Sequence, residues 1–117
     1  MVTPVTVVAF VDDLMDRSRL QGIEGIVFSR EPSRCADADV VIVDLARHAA
    51  VIPEITRVAP DARIVAFGSH VDTDGLDAAV AAGADLVVTR SRMFRDPVSV
   101  IAGAVDGARP HPADPGT

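Results

Sequence analysis

Residues 39–45 read DVVIVDL. Four aliphatic side chains stand in a row between two aspartates, with no alternation of polar and apolar positions. A strand that is apolar on both faces belongs inside a parallel sheet with helices packed on either side. The same kind of run recurs along the chain. VTVVAFV (Val5 to Val11), GIVFS around Ile26 to Ser29, ARIVAFGS (strand from Ala62 to Phe67) and DLVVT (Asp85 to Thr89) each read as a strand.

Helical patterns fill the gaps. Asp13 to Leu20 is a short amphipathic helix stopped by Gly22. Glu31 to Ala38 allows a turn or two, with Pro32 suited to the first helical position. Ala49 to Val58 places Val51, Ile52, Ile55, Val58 and Ala59 near one face. Thr73 to Ala82 closes on Gly83, the residue type that ends helices. A last helix starts near Asp96 with Pro97 in its first turn, while Arg90, Arg92 and Arg95 of TRSRMFRD read as charge around a loop. The tail ARPHPADPGT, residues 108–117, has three prolines and is expected to be disordered. Residues 1–107 form one folded domain, with no internal repeat.

Strands alternating with helices imply right-handed crossovers and a three-layer α/β sandwich. The expected fold is flavodoxin-like, a five-stranded parallel sheet in the order 2-1-3-4-5. Composition agrees. The 117 residues are 49% hydrophobic, with Phe as the only aromatic type, so the core is built from Val, Ala, Ile and Leu. A chain this long buries roughly two-thirds of its unfolded surface and needs no staples.

The net charge is −6 and all 11 basic residues are arginine. An acidic domain without a basic stripe or an aromatic platform is not expected to bind nucleic acid. The absence of lysine excludes any mechanism that needs an ε-amine. Cys35 is the single cysteine, which rules out an internal disulfide and fits a reducing compartment. No apolar run approaches the ~18 residues of a membrane span. The start MVTPVTVVAF enters a strand directly, so a cytoplasmic protein is expected.

In this topology ligands sit beyond the carboxyl ends of the strands, where the order reverses between strands one and three. Asp12 and Asp13 end strand one and Asp44 ends strand three. Three carboxylates on that edge can hold a hard cation such as Mg²⁺, and a metal-bound aspartate can take a phosphoryl group. Strands four and five offer Ser69, Thr89, Arg90 and Ser91 to the same edge. Simpler roles compete. Asp12 can cap the following helix with Asp13 in its first turn, Asp44 can cap the helix after it, and Arg90 can pair with Asp44 or Asp13. His70, just past strand four, can ligate a transition metal with Asp44, or be a solvated turn residue. No G-x-G-x-x-G cradle and no nucleophile–base arrangement is legible, so no enzymatic activity is expected.

The acidic pair Asp12–Asp13, Asp44 after VVIV, and the segment ARIVAFGSHVDTDGLDAAVAAGADLVVTRSRMF together resemble the receiver domains of two-component response regulators. The likeness runs from about Val5 to Val105. It implies Asp44 as phospho-acceptor, with Mg²⁺ held by Asp12, Asp13, Asp44 and the carbonyl of Ala46. It also implies a partner kinase and slow hydrolysis of the aspartyl phosphate. Some positions depart from the family pattern. Arg90 stands where the family has lysine, and a planar guanidinium is no substitute for a compact ammonium. Gly68 falls at the hydroxyl position, with Ser69 next to it. Val87 takes the aromatic switch position, and the loops are short. These departures favour a stand-alone pseudo-receiver that acts by protein–protein interaction; the alternative is an Mg²⁺-dependent phosphorylatable regulator. A small-ligand domain on the same edge is a third reading. A homodimer can form through the DAAVAAGA helix, strand five and the PVSVIAGAV helix.

Overall fold

A computed structural model describes residues 5–106. The expected tail, 108–117, lies outside the described residues. The elements run β1 (Val7–Phe10), α1 (Leu14–Leu20), β2 (Ile26–Phe28), a 3-10 turn (Pro32–Cys35), β3 (Val40–Asp44) and α2 (Leu45–His48). A second 3-10 turn (Ala49–Val51) leads into α3 (Ile52–Val58), β4 (Arg63–Gly68), α4 (Thr73–Ala82), β5 (Leu86–Thr89), α5 (Arg90–Arg95) and α6 (Pro97–Asp106). All strand pairs are parallel and the order is β2-β1-β3-β4-β5, as the run pattern predicts.

Alternation along the strands sorts the core into two layers. Val7, Ala9 and Val11, with Val40, Ile42, Val65 and Phe67, face Leu20, Met93, Val100, Ile101 and Ala104 of α1, α5 and α6. Val8, Phe10, Val41, Val43, Ile64 and Ala66 face Cys35, Ile52, Ile55 and Ala79 on the other side. Each layer buries mostly Val, Ile, Leu and Ala, with Phe67 and Met93 in one and Phe10 in the other.

At the amino ends of the strands, two aspartates act as clasps. Asp39 Oδ2 accepts from the Thr6 N–H at 2.8 Å, and Asp85 Oδ2 accepts from the Ile64 N–H at 2.8 Å. Each ties the loop entering one strand to the start of its neighbour. Gly83 ends α4 with φ 120, the conformation its C-cap position predicts.

Three local readings change. Residues 90–95 form a helix rather than a loop, capped by Thr89, whose Oγ1 accepts from the Arg92 N–H. The chain turns helical at Leu45, directly after Asp44, and reaches α3 through a 3-10 turn rather than one helix from Ala49. Asp13, not Asp12, is the N-cap of α1: its Oδ1 accepts from Met15 N–H at 2.9 Å and Asp16 N–H at 3.0 Å. With Asp13 at the cap, Asp16 falls in the first turn, on the face it shares with Leu20 one turn later.

Candidate functional site

The carboxyl edge of the sheet brings Asp12, Asp13 and Asp44 to the ends of the adjacent strands β1 and β3, and each carboxylate has its own protein partner. Asp44 is buried, and its Oδ1 accepts from the Ala46 N–H at 3.0 Å, capping α2. Asp13 is spent on the α1 amides. Asp12 points elsewhere, to Arg30 Nε at 3.1 Å and His48 Nε2 at 3.1 Å. The His48 nitrogen is close but not aligned for a hydrogen bond, and its ring stands edge-on to Phe10. Partial burial of Asp12 opposes its ionisation. The hydrogen bond and charge of Arg30, together with the His48 ring, outweigh that and hold its carboxyl below the ordinary range.

Arg90 turns away from all three. Its terminal nitrogen donates to both oxygens of Asp16 at 2.8 Å, and its guanidinium lies 5.4 Å from the Phe67 ring and 5.3 Å from the Phe94 ring. Asp16 is only 2% exposed, so this cation serves as the counter-charge of a buried carboxylate. A pairing with Asp44 or Asp13 was one of the roles open to Arg90, and the structure gives it Asp16 instead. The reason is geometric: Arg90 opens α5, which packs beside α1, and Asp16 is on the inward side of α1.

Gly68 ends β4 in register with Thr89, and a Cβ placed on it would meet Leu45 Cδ1 at 3.3 Å and Leu76 Cδ2 at 3.4 Å. The hydroxyl position of the resemblance is thus sealed by two leucines. Ser69 is exposed, and its Oγ accepts from the Val71 N–H at 3.3 Å within its own turn. His70 is exposed as well.

Three carboxylates and a backbone carbonyl are the right oxygen donors for Mg²⁺. As folded, they are not gathered: among the described residues no three His, Cys, Asp or Glu side chains are close enough to hold a metal ion. A cation here would have to draw Asp12 from Arg30 and His48, and Asp13 from the helix amides. The donor chemistry fits, and the arrangement does not.

Arg30, His48 and Asp16 carry much of this edge's electrostatics, and the sequence reading passed over all three. Asp16 had one signal, its i, i+4 spacing from Leu20 on the inward face of α1.

No protein-family model matches the sequence, and no curated protein matches it. Solved structures do. A phosphorylated cyanobacterial phytochrome response regulator, RcpA, superposes with a TM-score of 0.75 at 12% identity, over 91% of this chain and 97% of that one. A LuxR-family two-component response regulator from Aurantimonas sp. SI85-9A1 gives 0.71 at 21% identity, over 96% and 92%. A Burkholderia pseudomallei response regulator, solved with a phosphorylated aspartic acid, calcium ion and citrate, gives 0.67 at 18%, over 90% and 68%. The chain has the receiver fold. At these identities the likeness carries architecture and leaves the chemistry of the edge to the residues present.

Proposed function

We propose that this chain is a receiver-type signalling module that works by binding a protein partner, with its state set by that contact rather than by an aspartyl phosphate. One observation carries the reading. Arg90, at the position of the family lysine, is the counter-charge of the buried Asp16, and moving it to a phosphate on Asp44 would strand that carboxylate. The leucines packed against Gly68 support it, since that position offers no hydroxyl to a phosphoryl oxygen. The module is not an enzyme in this reading, and it acts in the cytoplasm. Its partners are a signalling protein or a second copy of the chain, through the face of α4, β5 and α6. Val80 on α4 and Val98 on α6 are both exposed apolar side chains.

The test is an Mg²⁺ titration with and without beryllofluoride, following backbone amide shifts in the wild type and in Asp44→Asn. The expected result is no beryllofluoride-dependent change around Asp12, Asp13, Asp44 and Ser69. A response in the wild type that vanishes in Asp44→Asn would overturn the proposal and restore the Mg²⁺-dependent phospho-switch.

A further inference from the structure

At the carboxyl end of β2, beside the acidic edge, lies an open groove of about 400 Å³ lined by Arg17, Phe28, Ser29, Arg30, Glu31 and Arg34. We propose that this groove binds a small phosphate-bearing molecule. Three guanidiniums from three different segments surround one concavity, in a chain whose net charge is −6. They are therefore a local reversal of the molecule's field, and not a sample of a generally basic surface.

The donors are partly pre-positioned. Arg17 Nε donates to the Val11 carbonyl at 2.6 Å, and its guanidinium lies 5.1 Å from the centre of the Phe28 ring. Arg30 is anchored through Nε to Asp12, an arrangement that leaves its terminal nitrogens available. Arg34 is exposed and has no ion-pair partner among the described residues. The Ser29 Oγ accepts from the Glu31 N–H at 3.0 Å, so its hydroxyl proton is free to donate.

Guanidinium forks match the oxygens of phosphate, which accepts several charge-assisted bonds at once. Glu31 and the Asp12 carboxylate that holds Arg30 offset two of the three positive charges, so the preference for phosphate over a monocarboxylate rests on the number of guanidinium and hydroxyl donors and not on net charge. This site is independent of Asp44 and of the partner-binding reading.

The test is calorimetry and amide NMR with inorganic pyrophosphate at low salt, on the wild type, Arg34→Ala and Arg95→Ala. Arg34 is exposed and Arg95 belongs to a separate groove on α5 and α6, so both variants should keep the fold, checked by their amide spectra. The expected result is saturable binding that shifts Ser29, Arg30 and Glu31 and weakens about tenfold or more in Arg34→Ala, but not in Arg95→Ala. Acetate at the same concentration should leave those resonances in place. Absence of saturable binding at millimolar pyrophosphate would overturn the proposal. So would equal weakening by both variants, which would mark diffuse charge attraction, or equal binding of acetate.

Discussion

At the scale of single residues, the pair between Arg90 and Asp16 balances a buried carboxylate. Asp16 is buried while the Arg90 side chain keeps 40% of its exposure, so the two ends of the bridge are not equivalent. Removing the arginine leaves a carboxylate in the core with nothing to balance it, at a cost of about 2–4 kcal/mol. Arg90→Met should lower the urea midpoint by an amount of that order. Asp16→Asn keeps the shape and strands no charge, so it should cost about half as much. The double variant Asp16→Leu, Arg90→Met should recover much of the single Arg90→Met loss, because apolar packing can replace a buried pair. Additive losses would mean the two side chains contribute separately. Cys35 makes a second prediction at this scale. Burial pushes its thiol up to about 11, so at pH 8 almost none of it is thiolate. It should resist a thiol reagent in the native protein and react at the rate of unfolding once urea is added. Prompt native labelling would show that the strand-facing layer of the 3-10 turn opens easily.

At the scale of elements, two glycines hold conformations that no other residue takes cheaply. Gly25 has φ 82, and a Cβ there would lie 2.5 Å from the Val5 carbonyl oxygen, which is backbone and cannot swing aside. Gly83 has φ 120, with a Cβ meeting the Thr56 methyl at 2.8 Å. Gly22 has open space around the same point and no positive φ. Gly25→Ala should therefore cost on the order of 2 kcal/mol or more and Gly83→Ala a little less, while Gly22→Ala stays near neutral, all read from chemical denaturation. These elements also divide what was legible from what was not. β3 and its neighbours were readable because four aliphatic residues in a row have one good explanation, and α4 because Gly83 marks its end. α5 was not readable. Its arginines at 90, 92 and 95 look like solvated loop charge unless one knows that Arg90 has a buried acid to reach, and Asp16 is far away in sequence. The same blindness affected the candidate site. That Asp12, Asp13 and Asp44 share an edge followed from topology. That Asp44 can cap the helix after it was legible too, and the structure bears it out; that Asp13 rather than Asp12 caps α1, and that Asp12 binds Arg30, depended on side-chain directions fixed only after the helices dock.

At the scale of the whole molecule, the polar groups are divided between the sheet's two ends. Clasps from Asp39 and Asp85 fasten the amino end, while the carboxyl end holds Asp12 between Arg30 from the β2 loop and His48 from α2. Asp12 thus links three segments across the switch point, and its ionisation couples that link to pH. Because its folded value lies below the ordinary 3.8, the folded state binds that proton less readily than the unfolded chain does. The resulting stabilisation is fully present above about pH 5, where both forms are ionised, and is lost as pH falls through the folded value. Acid also relieves the net charge of −6, so the raw pH profile of the wild type mixes two opposing trends. Asp12→Asn separates them, since it keeps the overall field nearly intact while removing the one titrating link. The difference in unfolding free energy between wild type and Asp12→Asn, from urea titrations at successive pH values, should shrink as pH falls below about 5. A difference that stays flat down to pH 3 would mean Arg30 and His48 do not sense the charge of Asp12, and that the junction at the switch point is held by packing alone.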